Sequence, residues 1–267
     1  MAIDHVIDLD CVPKQALTSA GLLARIKSRN RADAIIKLYR DHNDNRPPSE
    51  MGFEMVRRTP DGNEETQIVM VNDLLNEAAP LEALSTHCVG CPANRTGESF
   101  GCYGFVGYPI SRAAELWLLK QLPGPDDPLI LLLLRQTLID YVFRSQEIAR
   151  MRQSPGTIFE TSERFARRIE DVQISTDQVF EMLFLPNLIQ PAHGVLLMLF
   201  FGAIPRDMDA ESLMKLTQPA NNGNVSRDAP FLMQSDPEDD ESIMALKGFF
   251  EALHVAYRLN VSVSLDV

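Results

Sequence analysis

Apolar positions recur at helical spacing through most of the middle of the chain, whereas strand-like alternation lies mainly towards its two ends. Residues 6–9 read as a short strand, with Cys11 just beyond and Pro13 closing it. From residue 15 to residue 40, Leu17, Leu22, Leu23, Ile26, Ile35, Ile36 and Leu38 follow a helical pattern, with a break expected at residues 28–30. Residues 53–57 and 67–71 are strand-like and flank Pro60-Asp61-Gly62-Asn63, a strong turn signal, which predicts a β-hairpin.

A short helix is expected over residues 73–84, then a cysteine-bearing loop, then a strand over residues 103–108. Ser111 is placed to cap a helix reaching residue 122, and a proline-rich loop follows at 123–128. Residues 129–152 form the longest helical pattern. Ser175 with Gln178 spells a capping box for a further helix that Pro186 ends. Residues 191–203 are apolar nearly all round, which marks a core helix. Residues 216–242 show no periodicity, and their closing run of acids suits the first turn of a last helix extending to residue 259. Residues 261–265 alternate as a strand.

Strands near the ends and helices massed between them predict an α+β fold, mostly helical, with a small antiparallel sheet and one β-hairpin. The 267 residues are read as a single compact domain, 1–267, with possible lobes at 1–125 and 126–267. Hydrophobic residues make up 45% of the chain, enough for a core that needs no metal or disulfide to fold.

Charge narrows the partners. Lys and Arg number 25 against 37 Asp and Glu, a formal net charge of -12. A field of that sign repels phosphate backbones and anionic lipid, so neither nucleic acid nor a membrane is the expected partner, while a protein partner stays open. The longest apolar runs fall short of the roughly 20 residues that span a bilayer. With no secretory-type start, the expected compartment is the cytoplasm, where thiols stay reduced.

In that setting the cysteines carry the most pointed chemistry. Cys88, Cys91 and Cys102 are spaced C-x2-C-x10-C in a loop punctuated by Gly90, Pro92, Gly97, Gly101 and Gly104. Two thiolates separated by two residues can converge on one ion because the backbone between them turns over it. The expectation is a structural metal site made by Cys88, Cys91 and Cys102, with Cys11 as the favoured fourth ligand and His87 as its rival. The ion would be zinc or an iron–sulfur cluster, the two left undecided. The alternative is a redox enzyme using such a cluster or a reactive thiol in the same loop. Whether the chain is an enzyme at all stays open.

Other signals carry less. Gly97-Glu98-Ser99-Phe100-Gly101 spells a nucleophile elbow, but the strand-to-helix turn that motif needs is not expected there. His193 and His254 read as structural histidines on apolar helices. Arg164, Arg167 and Arg168 read as a solvated helix face.

Overall fold

The computed structural model describes residues 2–58, 64–141, 143, 145–218 and 229–266. The turn predicted at Pro60-Asp61-Gly62-Asn63 lies outside the described residues, as do residues 219–228 of the aperiodic stretch. The elements in chain order are β1 (Ala2–Ile7), α1 (Val12–Leu17), α2 (Ser19–Asp41), β2 (Gly52–Arg58), β3 (Glu64–Met70), α3 (Val71–Ala78), α4 (Pro80–Ser85) and β4 (Tyr103–Gly107). They continue with α5 (Arg112–Gln121), α6 (Pro128–Asp140), α7 (Ser145–Met151), β5 (Ala166–Ile169), β6 (Val172–Ser175), α8 (Thr176–Phe184), β7 (Leu188–Ile189), α9 (Pro191–Phe200), α10 (Ala210–Thr217), α11 (Glu241–Leu259) and β8 (Val263–Asp266). The fold is α+β and mostly helical, with small antiparallel sheets that include the predicted hairpin of β2 and β3.

Two compact units divide the chain. One comprises Met1–Leu9, Pro92–Thr96 and Gly101–Val267, and the other Asp10–Cys91 with Gly97–Phe100. The smaller unit packs α2 against α3 and carries the β2–β3 hairpin. Ala32, Met51, Val71 and Leu74 are its buried centre, with Ile35, Ile36, Tyr39 and Phe53 packed around them. Contrary to expectation, α2 runs unbroken through residues 28–30. Polar residues there do not weaken it because the Ser28 hydroxyl donates to Glu77 on α3 at 2.8 Å, a tertiary bond in place of a local one. The interruption comes earlier, at Thr18, whose positive φ of 62° separates α1 from α2 and whose side chain accepts the Gly21 N–H at 3.1 Å.

The larger unit is built on a four-stranded antiparallel sheet in the order β4-β1-β8-β7. Its central strand β1 is buried at Ile3 through Ile7, and α11 packs on β1, β4 and β8 with α9 behind it. An unbroken chain of ring contacts, Phe159–Phe180–Phe184–Phe249–Phe250–Phe201, with centroids 5.0 to 5.8 Å apart, ties α8, α9 and α11 into one core. Separations of that size fit tilted and edge-to-face packing.

Two further expectations are corrected. The helix predicted over 129–152 is two, α6 and α7. Tyr141 ends α6 in an extended conformation (ψ 125°); its hydroxyl donates to the Glu181 carbonyl at 3.2 Å and its ring meets Phe143 at a tilt, centroids 4.8 Å apart. The arginines at 167 and 168 are not on a helix but in a second hairpin, β5–β6, turned through Glu170 at a positive φ of 53°. Arg167 donates to the carbonyls of Leu119, Lys120 and Leu122, satisfying the C-terminus of α5.

Candidate functional site

Within the larger unit, four elements enclose a cavity of about 340 Å³. The capping box at Ser175 and Gln178 starts α8 on a fixed turn, which brings Met182 to the cavity wall. Pro186 ends the wall after α8, and Leu188 and Ile189 of β7 close it at the sheet edge. Pro191 then starts α9, which presents His193, Leu196, Leu197 and Phe200, the i, i+3, i+4, i+7 face of one helix. Opposite, the last turn of α6 supplies Thr137, Asp140 and Tyr141 at the same spacing.

The cavity is amphipathic along its depth. Met182, Ile189, Leu197 and Phe200 are buried and form the inner wall, while Leu188, Asp140 and His193 are exposed at the mouth. Thr137 and Tyr141 are less polar than they look, because each hydroxyl hydrogen is spent. Thr137 donates to the Leu133 carbonyl at 2.9 Å and Tyr141 to that of Glu181. The Thr137 and Tyr141 oxygens can still accept, and the other polar side chains lining the cavity among the described residues are Asp140 and His193. Asp140 accepts a hydrogen bond from the Gln136 amide at 2.8 Å and makes no ion pair among the described residues.

A second concentration of charge lies in the same unit and is of a different kind. Arg152, only 4% exposed, binds Glu115 of α5 and Asp177 of α8, and also donates to Thr176 and the Glu163 carbonyl. Its guanidinium stacks 3.9 Å from the Phe159 ring centroid. Burial pushes the Glu115 carboxyl up, against the opposing pull of Arg152. Arg164 reaches Asp177 from the surface at 2.7 Å. With its donors committed to these acceptors, Arg152 joins α5 to α8 rather than offering itself to a ligand.

The expected cysteine-ligated metal site is overturned. Among the described residues, no group of three or more His, Cys, Asp or Glu side chains could hold a metal ion. The physical reason is local. Cys88 ends a 3-10 turn and its thiol is buried, so desolvation pushes it up and keeps it protonated, with Cys91 and Cys11 adding to the effect and a Phe100 backbone hydrogen bond and Lys14 opposing it. The turn closes tightly, the Cys91 N–H meeting the Cys88 carbonyl at 3.3 Å, and what it presents outward is Val89 and the exposed His87. Cys11 is the N-cap residue of α1, although its side chain caps nothing. Cys102 belongs to the larger unit, where its carbonyl accepts the Ile7 N–H at 3.1 Å beside the sheet. All four are thiols rather than disulfides.

The remaining candidates separate clearly. Ser99 is exposed in a run of bends and turns, with neither a strand before it nor a helix after it. His254 is half-committed to structure, one ring nitrogen 2.7 Å from the Ala229 carbonyl. Of the histidines weighed from the sequence, only His193 lines the cavity. Asp140 went unnoticed in the sequence, where nothing marks a lone carboxylate at a helix end. Its one available signal was the absence of Lys, Arg or His from that last turn, where the helix dipole favours cations. Comparison with known proteins adds no assignment: no family matches the chain, and no curated protein or solved structure was found similar to it.

Proposed function

We propose that this protein is a binding protein for a small, predominantly apolar molecule, held in the cavity between the end of α6, α8, β7 and α9. The observation that carries the reading is the cavity itself. Its volume of about 340 Å³ falls in the range of small-molecule sites, and its buried wall residues are apolar, while Asp140 and His193 of its lining are exposed. Apolar walls supply affinity through burial, and polar groups confined to the mouth fix which end of the guest faces water. A cytoplasmic location is part of the proposal. The four cysteines are free thiols, as suits a reducing compartment, and no helix of the described residues is long and apolar enough to cross a membrane.

Isothermal titration of the full chain with 1-octanol tests the reading. The expected result is one molecule bound per chain and loss of that binding in Leu196→Trp. Leu196 is a half-buried wall residue, so the indole fills the cavity without displacing the core. No saturable binding by the unaltered protein, or equal binding by Leu196→Trp with an unchanged unfolding midpoint, would overturn it.

A further inference from the structure

We infer that the natural guest is a cationic amphiphile, an alkyl or arylalkyl amine whose ammonium group sits at the mouth against Asp140. The inference rests on the ligand-binding reading above and adds the chemistry of the head group. Three observations converge on it.

First, the mouth is polarised negative. Asp140 is the last residue of the thirteen-residue α6, where the unsatisfied carbonyls already carry the negative end of the helix dipole. A carboxylate there is repelled by its own helix, and the last turn holds no basic residue to offset it. Among the described residues its partner is the neutral amide of Gln136.

Second, the other polar groups cannot serve an anionic head. The hydroxyl protons of Thr137 and Tyr141 are donated to carbonyls, so neither is available to a carboxylate or phosphate oxygen. Among the described residues, no Lys or Arg lines the cavity. An ammonium group, by contrast, carries three donors and no acceptor. It can place one on Asp140 and leave the others to water at the open mouth. Third, the overall charge of -12 favours the approach of a cation over an anion.

The apolar body is read from the inner wall. Met182, Ile189, Leu197 and Phe200 offer no charge and no free donor, so the tail that leads the guest inward is hydrocarbon.

Calorimetry on the full chain at neutral pH with octylamine, 1-octanol and octanoate separates tail from head. The three share a tail, and their heads are cationic, neutral and anionic at that pH. Octylamine is expected to bind about fivefold tighter than octanol, the upper range for one exposed ion pair, and octanoate more weakly than octanol. In Asp140→Asn the amine's advantage over octanol should disappear, with an unchanged unfolding midpoint as the sign of an intact cavity. Octanoate binding as tightly as octylamine, or an amine preference that survives Asp140→Asn, would overturn the head-group assignment and leave the cavity reading standing. Absence of binding by all three removes both.

Discussion

Gly104 lies opposite His5 in the register of β4 and β1, so close that a Cβ on it would stand 2.5 Å from the imidazole Nε2. The same Cβ would meet Arg95 at 2.7 Å. The glycine therefore leaves room for two buried cationic-type side chains in the centre of the larger unit. His5 rests edge-on against Phe249, and Arg95 donates to the carbonyls of Gly248 at 2.8 Å and Tyr103 at 3.1 Å and pairs with Glu251 at 3.3 Å. Arg95 thus binds β4 to α11.

Gly104→Ala is expected to destabilise the protein by about 1–3 kcal/mol, the usual cost of overpacking a filled core. The atoms in its way belong to a fully buried ring and a guanidinium already fixed by three acceptors, so neither can swing aside. Urea unfolding checks it; a change under 0.5 kcal/mol would mean that the sheet accommodates the methyl group.

His5 gives the fold an acid-sensitive centre. Both ring nitrogens are buried without a hydrogen-bond partner among the described residues, and burial, with the Arg95 charge second, lowers its pKa to about 3. Between about pH 6.5 and pH 3 the unfolded chain binds a proton that the folded chain refuses, so stability contributed by neutral His5 is full above pH 6.5 and is lost as pH falls towards 3. His5→Leu should flatten the slope of unfolding free energy against pH in that window relative to the unaltered protein. Parallel slopes for the two proteins would contradict this.

Arg152→Met should cost about 3–5 kcal/mol, because it leaves Glu115 buried without its cation and Asp177 with Arg164 alone. Adding Glu115→Gln and Asp177→Asn to that variant should recover part of the loss, since the uncompensated charges are then gone. Thermal unfolding of the single and triple variants decides it, and a triple variant no more stable than the single one would point to lost packing on Phe159 instead.

Arg206 does for α9 what Arg167 does for α5. It donates to the carbonyls of Leu199 at 2.7 Å and Phe200 at 2.6 Å, reaches Gln121 at the end of α5, and pairs with Asp127 at 3.1 Å. Arg206→Lys keeps the charge but not the planar fork that serves these acceptors together, and is expected to cost about 1–3 kcal/mol. Because α9 forms one wall of the cavity, the same variant should weaken octanol binding; equal affinity would show that the helix end is held without it.

Local chemistry was enough to read many elements from the sequence. The β2–β3 hairpin, the Ser111 and Ser175 caps, α9 as a core helix and the last helix before β8 each depend on neighbours a few residues away. Fold class follows from their order, and it is α+β as expected. Long-range contacts decided the rest. Tyr141 splits a helix that periodicity joins, because its hydroxyl finds a carbonyl forty residues away. Ser28 preserves one that polarity predicts to break, through Glu77. The cysteine spacing was equally compatible with a metal and with a folded turn, since C-x2-C specifies only that the chain bends. Burial of Cys88 favours the turn, and no group of three metal-binding side chains forms among the described residues. The cavity was least legible of all: its walls come from α6, α8, β7 and α9, each apolar for reasons of its own, and an unfilled space between elements exists only once tertiary packing has brought their faces together.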